Sequence, residues 1–372
     1  MPLPASHQTA ETFHVRKADF RQWRWDAEPI PAETGLAPGQ LIARVAKFAF
    51  TANNVTYARL GDQLGYWKFF PAAEGWGCIP VWGIAEVLHS SSPDIAPGER
   101  IHGYMPMASH VLLQPGALRG IRFSDGTPHR AALPPVYNEY TLIDRDRGYD
   151  RAREDTQLIL RPLFGLSFFC AQYLQENTYF GARRILISSA SSKTALGLAF
   201  LLAQSNTAGL EIVGLTSAAN VGFVEQTGRY GRVLPYDAIG SIGAGEKAAF
   251  VDVAGNEGVR AAVHHALGDA LLLSLGVGVT HWDMPAANDP LPGPAPQFFF
   301  TPDHILRARK EWGPELLRER LSAAWAAFAD YTSGWLRIST ASGKAGIETV
   351  YEAVLRGARD PAEADIVTFG GQ

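Results

Sequence analysis

The sequence predicts an α/β protein: a β-barrel-type domain followed by a doubly wound domain with a parallel sheet. Three observations carry this. The first 165 residues are rich in Gly, Pro and aromatics and poor in helical periodicity. Beyond them, short apolar runs alternate with helical patterns at the spacing of right-handed βαβ crossovers. The length of 372 residues, with 47% apolar and 19% charged side chains, is enough for two domains with a substantial core.

Taken in order, "GQLIARVAKFAFT" (39–51) alternates as a strand does. Residues 80–115 read as short strands broken by Ser-Ser-Ser-Pro and Ala-Pro-Gly-Glu-Arg turns. The run Asp144-Arg145-Asp146-Arg147 alternates in sign and reads as a solvated loop before the first long helix. Strands are then expected at 184–188, 211–215, 232–234, 248–253 and 270–276, with helices at 194–204, 220–228 and 256–267. A helix at 315–332 leads to a strand at 334–339, a helix at 347–355 and a terminal strand at 364–369. The implied domains are 1–165, 166–300 and a segment, 301–372, that partly returns to the first.

Composition excludes several classes. A net charge of −4 gives no general attraction to nucleic acid or anionic lipid. Two cysteines, Cys78 and Cys170, cannot form a disulfide scaffold or a four-cysteine zinc lobe, and fit a reducing cytoplasm. The N-terminus lacks an apolar signal core, and the apolar stretch 270–279 is too short to span a bilayer. The ten histidines are scattered, and His264-His265 fall on a helix, where core or surface roles are usual. No metal ligand set is expected.

The order of five stretches resembles the medium-chain dehydrogenase/reductase superfamily over nearly the whole chain. They are "PGQLIARVAKFAFTANNVTYARLGD", "APGERIHGYMPMASHVLLQP", "ARRILISSASSKTALGLAFLLAQ", "RVLPYDAI" and "AAFVDVAGN". More narrowly, "TANNVTYARLGDQLGYWKFFP" and "SASSKTALG" are similar to an atypical branch carrying domain of unknown function 2855. The resemblance implies a GroES-like β-barrel-type domain and a Rossmann-type cofactor domain. With no zinc ligands in place, it points to the zinc-free branches, similar to quinone oxidoreductases and enoyl reductases.

In that frame "SSASSKTALG" (188–197) is the phosphate loop, with Ser189, Ser192 and Ala195 where glycines are usual. Ser191 and Thr194 add hydroxyls, and Lys193 adds positive charge at a helix N-terminus that already favours anions. Serine and threonine are equally at home there as helix caps. The second strand ends at Ser217 without a carboxylate, which favours NADP(H) over NAD, although the usual basic residue beyond it is missing. Tyr236 matches the family tyrosine at the adenosine end, or is a core tyrosine. Asn256, Gly276 and Val277 follow the fourth and fifth strands, where the nicotinamide half is implied to lie.

"TANNVTYARLG" (51–61) matches the family's nicotinamide-facing stretch, making Tyr57 the candidate proton donor and Asn53, Asn54 and Thr56 secondary polar candidates. The aromatic stretches 65–71 and 75–83 read as barrel core or apolar pocket wall, and Lys68 among them as a snorkelling or substrate-attracting lysine. "PAPQFFFTP" (294–302) falls at the superfamily's dimer-edge strand, implying a homodimer. The implied activity is NADPH-dependent reduction of an activated C=C or C=O (enone, quinone or ketone) of a hydrophobic or aromatic substrate. The alternative is a cofactor-binding protein of the same fold without catalysis.

Overall fold

The computed structural model describes residues 9–147, 149–205, 209–277, 291–357 and 359–370. The chain divides into two compact units, residues 1–159 with 338–372 and residues 160–337. Helix 301–332 therefore belongs to the second unit, and the return to the first begins at Ile338, later than the sequence pattern suggested.

The first unit opens with a hairpin, β1 (Thr9–Arg16) and β2 (Asp19–Pro29). The sequence reading did not place these strands, in which aromatic residues are interleaved with charged ones. β3 (Leu41–Phe50) leads into the short helix α1 (Ala52–Arg59). β4 (Trp76–Gly77) pairs with β1, and β5 (Pro80–Ser90), β6 (Arg100–Pro106) and β7 (His110–Leu113) follow. β8 (Arg122–Ser124) and β9 (Glu139–Leu142) complete this stretch. Two register shifts between β3 and β5 curve the eight-stranded sheet around a core that includes Phe48, Phe50, Val81 and Tyr140.

Helix α2 (Glu154–Glu176) leads into the second unit. There the strands are β10 (Arg184–Ile187), β11 (Glu211–Thr216), β12 (Arg232–Pro235), β13 (Ala248–Asp252), β14 (Leu271–Gly276) and β15 (Gln297–Phe298). All pair in parallel, in the order β12-β11-β10-β13-β14-β15. Counted along the unit this is 3-2-1-4-5-6, the doubly wound dinucleotide-binding order. Helices α3 (Lys193–Gln204), α4 (Val221–Gln226) and α5 (Glu257–Leu267) supply the crossovers. Each strand and helix expected between residues 184 and 276 is present, with its ends within two residues of the expected ones.

α6 (Thr301–Thr332) breaks at Gly313, whose φ of 74° precedes Pro314, so the expected helix 315–332 is its second half. The strand expected at 334–339 forms instead as β16 (Arg337–Ser342), because Trp335 and Leu336 still bond back to the Thr332 carbonyl. α7 (Gly343–Leu355) and β17 (Glu363–Thr368) return to the first unit, β17 pairing with β3.

His264 is a satisfied core residue. Its Nδ1 lies 2.8 Å from the Pro292 carbonyl and its Nε2 2.8 Å from Ser274 Oγ, which fits a neutral ring donating to Pro292 and accepting from Ser274. Burial, with Arg260 and His265 nearby, holds its pKa below the ordinary 6.5. The unfolded chain then binds more protons than the folded one as pH falls through that value, so stability is lost on acidification. Thermal midpoints of the wild type should fall between pH 7 and pH 5 more steeply than those of His264→Gln; equal slopes would refute the assignment.

Among the described residues no helix is long and apolar enough to cross a membrane.

Candidate functional site

In the second unit, β10 and β13 lie side by side where the strand order reverses, and ligands of such sheets bind beyond the carboxyl ends of those strands. The turn after β10 is built without glycine. Ser189 takes the left-handed conformation at φ 52°, a region a non-glycine residue occupies at a cost of about 1–2 kcal/mol. Its N–H donates to the Tyr236 hydroxyl at 3.0 Å, and its carbonyl accepts from the Ser192 N–H at 2.7 Å. The loop lies tight against β11: a Cβ on Gly214 would come within 2.9 Å of the Ala190 Cβ.

The other loop residues divide by role. Ser192 is the helix cap, its Oγ accepting from the Ala195 N–H at 3.2 Å. Ser191 accepts from Asn220 Nδ2 at 3.1 Å and faces the Thr216 hydroxyl at 3.4 Å, tying the loop to the end of β11. Lys193 and Thr194 are the first two helical residues, whose N–H groups no intrahelical carbonyl can reach, and the first turn holds no acid. Ser217 is exposed just past β11. Asn256 caps α5, its Oδ1 accepting from the Val259 N–H at 3.1 Å. Gly276 ends β14, and the buried Val277 donates its N–H to the Asp252 carbonyl. Residues 278–280, implied to continue that edge, lie outside the described residues.

Two expected cofactor-binding residues, Ser192 and Asn256, thus spend their side chains on helix ends. Tyr236, half-buried beside Asp252, spends its hydroxyl on Ser189, and burial raises its pKa. The strand-turn-helix path, the acid-free first turn and Lys193 still suit a phosphate group.

In the first unit, Asn54 starts the arrangement around Tyr57. Its Oδ1 accepts from the Thr51 N–H at 2.8 Å and its Nδ2 donates to the Pro80 carbonyl at 3.0 Å, pinning the start of α1 to the start of β5. Asn54 is therefore a structural residue, not a substrate contact. Thr56 bonds back to the Ala52 carbonyl of its own helix. One turn after Asn53, Tyr57 is buried with its oxygen accepting from Trp82 Nε1 at 3.4 Å. The Tyr104 ring meets Tyr57 edge-on at 5.6 Å, its own hydroxyl buried and without a hydrogen-bond partner among the described residues.

Trp82 and Tyr104 are direct partners across β5 and β6, so both rings stand on one face of the sheet. Tyr66 and Tyr137 close the group, their rings 4.7 and 6.1 Å from Tyr57 and their hydroxyls 3.2 Å apart. Burial pushes all four phenols well above the ordinary tyrosine range, so they stand as neutral hydroxyls. Lys68 points out to solvent and takes no part.

Sequence reading placed Tyr66 and Trp82 in aromatic stretches of general purpose and gave no sign of Tyr104 or Tyr137. The missing signal is the pairing of residues 82 and 104, which appears only with the strand register.

Among the described residues no three His, Cys, Asp or Glu side chains group as a metal site would need. Cys78 and Cys170 are buried, and burial pushes the Cys78 thiol up to about 12.

The model of the family described as "Protein of unknown function (DUF2855)" matches residues 48–360. No curated protein matches the sequence. Among solved structures, CurA from Vibrio vulnificus in complex with NADPH is similar at 12% identity, covering 97% of this chain and 100% of its own, with a TM-score of 0.59. TarJ from S. aureus in complex with NADPH is 10% identical, covering 97% of this chain and 99% of its own, at a TM-score of 0.56. The mitochondrial 2-enoyl thioester reductase Etr1p/Etr2p heterodimer from Candida tropicalis is 13% identical, covering 97% of this chain and 100% of its own, at 0.56. At these identities the likeness is one of fold: a GroES-like unit and a Rossmann-type unit.

Proposed function

As a member of the DUF2855 family with the medium-chain dehydrogenase/reductase fold, the chain is, we propose, an NADPH-dependent, zinc-free oxidoreductase. It reduces an activated C=C or C=O of a hydrophobic or aromatic substrate. The carrying observation is the dinucleotide-type turn at the strand reversal, with Ser189 left-handed and Lys193 opening α3. Lys193 and the N–H groups at the start of α3 would hold phosphate, the Ser191 hydroxyl would assist, and the carboxylate-free end of β11 at Ser217 accommodates a 2′-phosphate. When bound, the cofactor supplies hydride. The chain's own part is to orient the substrate and to deliver a proton from Tyr57. A homodimer along the β15 edge belongs to this reading: Phe298 and Phe300 stand exposed there.

Titration with NADPH and NADH, followed by nicotinamide fluorescence, tests it, with enones, quinones and ketones then screened for oxidation of the cofactor. Absence of binding by either nucleotide overturns it. Lys193→Ala should weaken NADPH roughly tenfold and NADH much less; equal losses would refute a 2′-phosphate role.

The alternative, a cofactor-binding protein without catalysis, is favoured by one observation: the Tyr236 hydroxyl already occupies the Ser189 N–H. Tight NADPH binding without turnover of any compound would select it.

A further inference from the structure

Tyr57 sits in an unusual hydrogen-bonding position. The side chain that hydrogen-bonds to its oxygen is a donor: Trp82 Nε1–H, which can only donate, lies 3.4 Å away. The Tyr104 hydroxyl is sealed from solvent and has no hydrogen-bond partner among the described residues. The rings hold this geometry: Trp82 and Tyr104 lie 5.2 Å apart as cross-strand partners, and Tyr104 meets Tyr57 edge-on at 5.6 Å. On its far side Trp82 stacks on His102 at 5.7 Å.

We infer that Trp82 and Tyr104 form an anion-stabilising shell for Tyr57, built to receive the negative charge that appears when its proton leaves. They are positioning residues, since neither has to touch the substrate. In its catalytic sense the inference rests on the reduction proposed above; the shell itself does not. The step balances simply. The Tyr57 O–H bond breaks, its proton passes to the substrate atom that is left electron-rich by reduction, and the bonding pair stays on the Tyr57 oxygen as a phenolate. Solvent later returns the proton.

The physical need is plain. A phenol in this setting is held neutral by burial, and the neighbouring Tyr137 opposes its ionisation as well. The other titratable groups facing it, Tyr66 and Tyr104, are neutral phenols. Without donors aimed at its oxygen, a phenolate there would have neither water nor a counter-charge. Trp82 Nε1–H stands in place before the proton moves. Tyr104's unpartnered hydroxyl, on the ring that meets Tyr57 edge-on, is the donor that closes on the oxygen as charge develops.

Two measurements decide it, both on the full chain. First, Tyr57→2,3,5-trifluorotyrosine makes ionisation at this position visible by near-ultraviolet absorbance, with no cofactor or substrate present. Adding Trp82→Phe or Tyr104→Phe, which keep the rings, should each raise its midpoint by about 0.5–1 pH unit, the effect of one lost donor. Unmoved or lowered midpoints in both backgrounds overturn the inference. If Trp82→Phe fails to fold, Tyr104→Phe, which removes a single oxygen, carries the test alone. Second, with NADPH and 9,10-phenanthrenequinone, each variant should lower kcat about three- to tenfold with KM unchanged, and do nothing further in a Tyr57→Phe background. Equal losses in both backgrounds overturn it. Full turnover by Tyr57→Phe alone would sink the proton-donor reading instead, while the ionisation midpoints still judge the shell.

Discussion

Tyr57→Phe is expected to lower turnover by about 10²–10⁴-fold, the usual weight of a positioned general acid, while leaving the affinity for NADPH unchanged. The variant removes one oxygen and keeps the ring, so its contacts with Tyr66, Tyr104 and Tyr137 survive. What it loses is the proton and the atom on which Trp82 converges. Nucleotide affinity should hold because the proposed phosphate loop is built from other residues, 188–194. The pH dependence has a definite sign. In the proposed reaction the acid form of Tyr57 does the work, and burial moves its ionisation well above the ordinary phenol value. Wild-type turnover should therefore not decline from pH 7 to pH 9 through loss of this proton. Stopped-flow NADPH oxidation over that range checks both points; a variant within threefold of wild type would remove Tyr57 from the chemistry.

The largest stability effect is expected at Arg130. Its side chain is 3% exposed and pairs at 2.9 Å with Asp125, whose side chain is fully buried. The guanidinium also donates to the Phe69 carbonyl at 3.1 Å and to the Tyr140 hydroxyl at 2.8 Å, and the ring of Phe70 lies 4.6 Å beneath it. Asp125 in turn accepts from the Gln114 and Thr127 N–H groups. Arg130→Met leaves a buried carboxylate without its counter-charge, and breaking such a pair costs about 3–5 kcal/mol. Asp125→Asn with Arg130→Met should cost less, because the uncompensated charge is gone. Urea denaturation followed by circular dichroism measures both; a loss below about 1 kcal/mol for Arg130→Met would contradict the reading. The same network reaches the phenol group, since the Tyr140 hydroxyl donates to the Tyr104 carbonyl at 2.7 Å and Phe69 directly follows the turn that carries Tyr66. Loosening it should also blur the geometry around Tyr57.

The second unit was largely legible because its strands are continuous apolar runs and its helices have caps and periodicity. Ser188 to Ser192 falls between β10 and α3 as expected, and that position follows from local pattern alone. The hairpin of β1 and β2 was not legible. Its strands alternate aromatic with charged residues, and they are strands because Phe13, Trp23 and Trp25 pack together and on Tyr351 of the returning helix. Side-chain roles in the loop were legible only as alternatives. A serine before a helix can cap it or bind a ligand, and Ser192 and Asn256 cap.

The sequence by itself determined the order of strands and helices from residue 184 to 276, the change from barrel-type to doubly wound texture, and where the turn at residues 188–192 falls. Those are properties of short windows, written in residue period and turn chemistry. Only the tertiary structure decided that Ser189 is left-handed, that Tyr236 reaches back to it, and that Trp82 and Tyr104 converge on Tyr57. These depend on strand register and on contacts between residues 22 to 47 positions apart. A local pattern repeats with period two or 3.6 whatever its neighbour's register, so it cannot say which side chain it will meet.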